Sequence, residues 1–287
     1  MKYLTLLTAA LILPFLSKGA PNEIRVYKQI NGAELTLHIF NPPNHSPSNK
    51  VACIVFFHGG GWSGGEPHHF YRQSKYLSSR GMVAISAEYR LSKKHGTTPI
   101  ECVKDAKSAI RWVRTHANEL GIDPDRLAAG GGSAGGHLAA ATATLDGLNE
   151  EGEDTSVSCR PGALVLFNPV FDNGPDGYGY GVVKEYWQDF SPKHNLSATT
   201  PPTLVMLGTE DPLIPVATAE KYKTVMEQNG TRCELRLYEG EKHAFFHVSK
   251  YYETLLETDK FLTSLGYLQG EPTLKRRPAK AASPKKL

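Results

Sequence analysis

Val51 to Phe57 is an unbroken apolar run, Val-Ala-Cys-Ile-Val-Phe-Phe, and similar runs follow at Met82–Ala87, Leu127–Ala129, Ala163–Phe167, Thr203–Leu207 and Leu235–Tyr238. A strand that is apolar at successive positions has to be covered on both faces, as in a parallel sheet with a layer of helices on each side. The segments between the runs are long enough to be those helices. Glu101–Leu120 carries Val103, Ala106, Ile110, Val113 and Ala117 at helical spacing, and Ala134–Leu145, Pro215–Gln228 and Val248–Leu265 complete the set. Ahead of them, Ile24–Ile30 and Leu35–Phe40 flank Asn31-Gly32, the pattern of a β-hairpin. The expected fold class is therefore α/β, with an antiparallel entry into a mostly parallel central sheet flanked by helices. No internal repeat or linker divides the body.

The two ends differ from this body. Met1-Lys2, the apolar stretch Tyr3–Leu16 and the small residues around Ser17-Lys18-Gly19 read as an export signal over residues 1–19, shorter than the roughly 18–20 apolar residues of a membrane span. The expectation is a secreted or periplasmic protein without stable membrane insertion. Residues 20–270 form the folded domain. From 271 to 287 runs a basic tail whose Pro/Ala/Lys composition cannot bury a core, so disorder is expected. The formal net charge is +3, and Lys275, Arg276, Arg277, Lys280, Lys285 and Lys286 supply six positive charges, so the rest stands at −3. A mildly acidic body argues against nucleic acid as a partner. The four cysteines include no Cys-x-x-Cys and no close pair, which leaves disulfides permitted but not required and a cysteine metal site improbable. Cys53, inside an apolar strand, reads as a small hydrophobe.

Gly131-Gly132-Ser133-Ala134-Gly135 joins a strand-like run to an Ala-rich helix-like run. Glycines at such a tight turn relieve crowding and push the serine hydroxyl clear of the backbone. A hydroxyl is a poor nucleophile at neutral pH and needs a base, and the base needs a carboxylate to fix its tautomer. Asp211, in Gly208-Thr209-Glu210-Asp211, and His243, in His243-Ala244-Phe245, each follow a strand-like run. So does His58-Gly59-Gly60-Gly61-Trp62. Function in such sheets gathers at the carboxyl ends of strands, so one site can collect all four segments.

These segments, together with Glu88-Tyr89-Arg90-Leu91 and Gly136-His137, resemble the α/β-hydrolase superfamily, on the side of the hormone-sensitive-lipase-like esterases and the related acetyl and feruloyl esterases. The resemblance covers Val51 to about Gly266, and the chain order Ser, Asp, His agrees with it. It implies Ser133 as nucleophile, His243 as base, Asp211 as its orienting acid, and the N–H groups of Gly60, Gly61 and Ala134 as an oxyanion hole. It implies no cofactor and no metal ion. Preorganised donors stabilise the charge that develops on a carbonyl oxygen, and Ala134 at a helix start adds the positive end of the helix dipole.

Other residues compete for these roles. Asp172 also follows a strand and is the alternative acid. His58 reads as a support for the glycine loop, His137 as a packed residue on the helix, and His247 as turned away by a helix beginning beyond His243. The pair His68-His69 lacks a companion ligand and reads as surface. Gly130-x-Gly132-x-x-Gly135 and Gly59-x-Gly61-x-x-Gly64 match a dinucleotide fingerprint. The acidic strand end it requires about 20 residues on is here the polar loop Asn149–Asp154, so the oxidoreductase reading fails. Only Ala20–Lys50 separate the export signal from the sheet, which leaves no room for a large N-terminal cap and predicts an open, shallow site. The expected substrate is an ester, with acetyl and then feruloyl groups on plant-type polysaccharide as the narrower expectation. Tyr178, Tyr180, Tyr186 and Trp187, after Asp172, are candidates for a sugar-facing rim or for packing of that segment.

Overall fold

The computed structural model describes residues 19–275, so most of the expected export signal and the last part of the basic tail lie outside the described residues. The strands are β1 (Glu23–Ile30), β2 (Ala33–Phe40), β3 (Val51–Phe57), β4 (Val83–Ala87), β5 (Ile122–Gly132), β6 (Ala163–Phe167), β7 (Thr203–Gly208) and β8 (Cys233–Tyr238). The helices are α1 (Tyr71–Ser79), α2 (Ser92–His95), α3 (Pro99–Thr115), α4 (Ala134–Thr144), α5 (Tyr180–Val183), α6 (Trp187–Phe190), α7 (Val216–Gln228) and α8 (Tyr251–Ser264). One sheet runs in the order β1-β2-β4-β3-β5-β6-β7-β8. The pairs β1–β2 and β2–β4 are antiparallel, and every pair from β4–β3 to β7–β8 is parallel. This is the mostly parallel sheet with an antiparallel entry that the apolar runs and the hairpin signal predict, and it is the α/β-hydrolase arrangement that the resemblance implies.

Alternation along the central strands feeds two cores. Cys53, Val55 and Phe57 of β3 join Leu164 and Leu166 of β6 against α3, α4 and α7. Their neighbours Ile54 and Phe56 join Val165 and Phe167 against Leu77 of α1 and Leu255, Phe261 and Leu262 of α8. Successive side chains of a strand point to opposite faces, so a sheet between two helical layers needs apolar residues at every position. All four cysteines are free, and burial pushes the Cys53 thiol up, as expected of a hydrophobe in a core.

The differences from expectation lie at the edges. The strand around Leu127–Ala129 extends back to Ile122, because Ile122 pairs with Val51 before an irregularity restores the register at Cys53 and Leu127. α3 starts two residues early, at Pro99, where the Glu101 carboxylate accepts the Thr98 N–H at 2.8 Å and closes the helix start. It stops at Thr115, five residues short of Leu120. α1, nine residues long and mostly polar, is not among the helices expected from the sequence. At the tail, Leu274 packs against the second core and its carbonyl accepts the Tyr252 hydroxyl at 3.2 Å, so the first residues after 270 are held on the body. No helix among the described residues is long and apolar enough to cross a membrane.

Candidate active site

Ser133 sits between β5 and α4 with φ +55° and ψ −122°, a conformation that L-residues rarely adopt. Three backbone hydrogen bonds hold it there. Its N–H donates to the Phe167 carbonyl at 3.0 Å, and its own carbonyl accepts from His137 at 3.0 Å and Val170 at 3.2 Å. The flanking glycines are a steric necessity. A Cβ on Gly131 would lie 2.3 Å from the Gly135 carbonyl oxygen, and one on Gly135 would lie 2.0 Å from that of Phe57. Neither obstacle is a side chain that can swing aside.

The glycine loop after β3 lies against this turn. A Cβ at Gly59 would come within 3.3 Å of the Ser133 Cβ. The loop is braced from behind by His58 and Trp62. His58 donates Nδ1–H to the Gly59 carbonyl at 2.9 Å, stacks on Tyr89 at 4.3 Å, and its carbonyl accepts the Tyr89 hydroxyl at 2.7 Å. Burial pushes the His58 pKa down to about 4, which keeps the ring neutral and suits it to support rather than proton transfer. Trp62 is buried against His137, Phe190 and Tyr178. The N–H groups of Gly60, Gly61 and Ala134 have no hydrogen-bond acceptor among the described residues. They are free to receive a ligand oxygen.

The loops after β7 and β8 carry the other two side chains. They are joined by backbone hydrogen bonds from Thr209 to Tyr238 and from Glu210 to Glu241, both 3.0 Å. This pairing delivers His243 to Asp211. His243 Nδ1 lies 2.7 Å from Asp211 Oδ2, and its Nε2 lies 2.9 Å from Ser133 Oγ. The other carboxylate oxygen of Asp211 accepts the N–H groups of Leu213 at 2.9 Å and Ile214 at 3.2 Å. The Asp211 side chain is fully buried and that of His243 is 19% exposed, so the ring is reachable while its partner is not.

The structure thus brings Ser133, Asp211 and His243 together, and the glycine loop that carries Gly60 and Gly61 touches the turn of Ser133 and Ala134 at Gly59. It leaves the competitors elsewhere. Asp172 pairs with Lys193 at 2.5 Å. His137 donates Nε2–H to the Phe190 carbonyl at 2.9 Å, and burial lowers its pKa to about 3. His247 closes a short 3-10 turn, Phe245–His247, and burial lowers its pKa to about 4. The helix expected from Val248 begins only at Tyr251. His68 is exposed beside Glu66 and His69 is half-buried against His58. Among the described residues no group of three or more His, Cys, Asp or Glu side chains is arranged to hold a metal ion.

Of the aromatic residues after Asp172, Tyr186 packs edge-on against Phe190 and Trp187 against His194. Tyr178 instead leans on the glycine loop, its hydroxyl 3.3 Å from where a Gly61 Cβ would stand. A cleft lined by Pro169, Val170, Tyr178, Leu213 and Ile214 encloses about 10 Å³, room for about one water molecule. Two residues escaped the sequence reading: Phe246, whose ring closes on Gly132, and Asn168, which reaches His243. Asn168 stands directly after an apolar run and before Pro169, which is its sole signal in the sequence.

Comparison with known proteins points to esterases. The BD-FAE family model matches residues 37–163, and the prolyl oligopeptidase family model matches residues 168–266. The apo form of Thermogutta terrifontis esterase 2 is 40% identical, with a TM-score of 0.84 over 88% of this chain and 97% of that one. The same esterase has been solved phosphorylated by paraoxon, and with propionate or butyrate bound. An arylesterase from Saccharolobus solfataricus is 32% identical over 79% of this chain and 77% of its own length. An acetylxylan esterase from Xylanibacter ruminicola is 30% identical over 76% of this chain and 45% of its own. The chain spans about half the length of that protein and of several other curated relatives it matches.

Proposed function

The chain belongs to the α/β-hydrolase superfamily, among its serine ester hydrolases, and from that premise we propose that it is a carboxylesterase that removes short acyl groups, acetyl first and feruloyl second, from plant-type polysaccharide or its fragments. An export route, secreted or periplasmic, belongs to the same reading. The observation that carries it is the continuous hydrogen-bond line from Asp211 through His243 to the Ser133 hydroxyl, beside free N–H groups.

Ser133 Oγ attacks the ester carbonyl carbon as its proton passes to His243 Nε2. Asp211 accepts the Nδ1–H of the ring throughout and stabilises the imidazolium. The carbonyl oxygen gains the displaced electron pair and receives N–H groups from Gly60, Gly61 and Ala134, each such donor worth about 2.7–4 kcal/mol in the transition state. Collapse expels the alcohol, which takes the proton from Nε2 and leaves an acyl-enzyme. Water, deprotonated by the same ring, releases the acid. A preference for a small acyl group over a long fatty chain belongs to the same reading. Propionate and butyrate in the Thermogutta esterase and the acetylxylan esterase relative support the same direction.

The test is hydrolysis of p-nitrophenyl esters from acetate to decanoate, with Ser133→Ala in parallel, followed by acetylated xylan. Activity that peaks at acetate, collapses in the variant and extends to xylan is expected. Turnover of aryl acetates without acetate release from xylan would narrow the reading to a general short-chain esterase. No ester turnover, or turnover that survives Ser133→Ala, would sink it. Peptide p-nitroanilides, the substrates of a peptidase on this fold, are expected to remain uncleaved.

A further inference from the structure

Asn168 is fully buried at the end of β6, with φ +35°. Its amide meets two groups of the loop after β8. Oδ1 accepts the Ala244 N–H at 3.2 Å, and Nδ2 lies 3.2 Å from His243 Nε2. The first contact fixes the sense of the amide. A backbone N–H needs an acceptor, so the oxygen faces Ala244 and the NH2 group faces the imidazole. On the far side of the ring, the Asp211 carboxylate only accepts, so Nδ1 carries the proton and Nε2 presents its lone pair. Two donors share that lone pair: the Ser133 hydroxyl at 2.9 Å and the Asn168 amide.

We propose that Asn168 is a positioning residue for the ester hydrolysis inferred above: with Asp211 it clamps His243 in the Nδ1–H tautomer, and it makes the imidazolium short-lived by facing its Nε2–H with a second N–H. The proposal rests on that reading for its catalytic consequence, and on geometry alone for the clamp. When the Ser133 proton arrives at Nε2, the ring nitrogen changes from acceptor to donor. The Asn168 amide cannot reverse, because Ala244 holds its oxygen. Two N–H groups then oppose each other, and the conflict is relieved when the Nε2 proton passes to the leaving alkoxide oxygen as its bond to carbon breaks. In deacylation water gives its proton to Nε2 and Ser133 Oγ receives it, so the same conflict recurs and is relieved in the same way.

The charged and titratable groups around the ring are few. Asp211, after β7, contacts it directly. Glu241, in the loop that carries the ring, turns its carboxylate to the Ser249 hydroxyl at 2.5 Å and to Lys250 at 3.7 Å. Ser133, after β5, is the third neighbour. A donor aimed at Nε2 favours neutral imidazole, whereas an acceptor there favours the charged form.

Asn168→Asp keeps an oxygen for Ala244 and replaces the donor at Nε2 with a carboxylate. Asn168→Leu removes both contacts at similar size and serves if the aspartate variant does not fold. On p-nitrophenyl acetate, both are expected to lower kcat by about 10- to 100-fold with KM within about twofold, a fraction of what acid–base catalysis supplies. The acid limb of kcat/KM is expected to move to higher pH, by about one unit or more in Asn168→Asp and less in Asn168→Leu. An NMR titration of His243 in the Ser133→Ala background reads the same shift without turnover, so it decides the clamp even if no ester is hydrolysed. A residue that merely supports the loop predicts parental titration and pH profile in the uncharged Asn168→Leu variant, with losses that follow the melting temperature. That pattern would overturn the proposal.

Discussion

The site has two halves, and they are held in different ways. On the β3–β5 half, backbone lies directly on backbone: the glycine loop touches the turn at Ser133, and Gly135 meets the carbonyl groups of Phe57 and His58 with no space for a methyl group. On the β6–β8 half, side chains do the positioning, through a chain of hydrogen bonds from the loop amides of Leu213 and Ile214 to Asp211, His243 and Asn168. Steric contact between backbones is all-or-none, because neither partner can rotate away. Hydrogen-bonded side chains can be exchanged one at a time, and each exchange has its own cost. Substitutions in the first half should therefore register in stability, and those in the second half in chemistry.

Asp211→Asn gives the sharpest test of the second half. Exchanging the orienting acid for its amide in a triad of this kind costs about 10⁴ in kcat while the geometry survives. The expected result is that loss with an unchanged melting temperature, and near-parental kcat for Asp172→Asn. A comparable loss in Asp172→Asn would make the division by loop wrong.

Gly135→Ala probes the first half. Its new methyl group would lie 2.0 Å from the Phe57 oxygen and 2.4 Å from that of His58, both on the backbone that leaves β3. A loss of about 3 kcal/mol or more is expected in urea unfolding, at the upper end for overpacking. Gly64→Ala, with nothing within 4 Å of its added Cβ, should unfold like the parent. Equal behaviour of the two would break the distinction.

A smaller effect concerns acid. Burial holds His58 and His137, both packed behind the first half, at about 4 and about 3, below the ordinary 6.5 of histidine. The unfolded chain takes up these protons first, so their contribution to stability is complete above about pH 6.5 and is lost as pH falls towards 4 and then 3. Each accounts for up to about 3 kcal/mol between pH 6.5 and 4. The melting temperature should fall across that window, and His137→Gln, which retains a donor for the Phe190 carbonyl, should flatten the fall.

The same division explains how much was legible in the sequence. The backbone half announces itself, since a run of glycines after an apolar strand has few uses other than close approach. Gly59 to Gly61 and Gly131 to Gly135 could be read as parts of one site before any fold was known. Asp211 and His243 were legible through their place after strands, although distances to Ser133 were not. Asn168 was not legible as a functional residue. An asparagine before a proline at a strand end is common in turns, and nothing local says that its amide reaches a loop some 75 residues later in the chain. Tyr178 was read among four aromatic residues with no means of separating it from Tyr186 and Trp187, which pack against the body.

What the sequence determined by itself was the alternation of buried strands and helices, and the residue types that stand at the carboxyl ends of the strands. Both follow from local rules: burial on two faces demands continuous apolar runs, and tight turns demand glycine. What only the tertiary structure decided was which of the carboxylates, histidines and amides meet. That choice depends on the joining of the β7 and β8 loops by backbone hydrogen bonds and on the left-handed turns at Asn168 and Ala244. Contacts of such long sequence separation are fixed by the packed sheet, because no short stretch of chain carries the direction in which a side chain will point once its strand has found its neighbours.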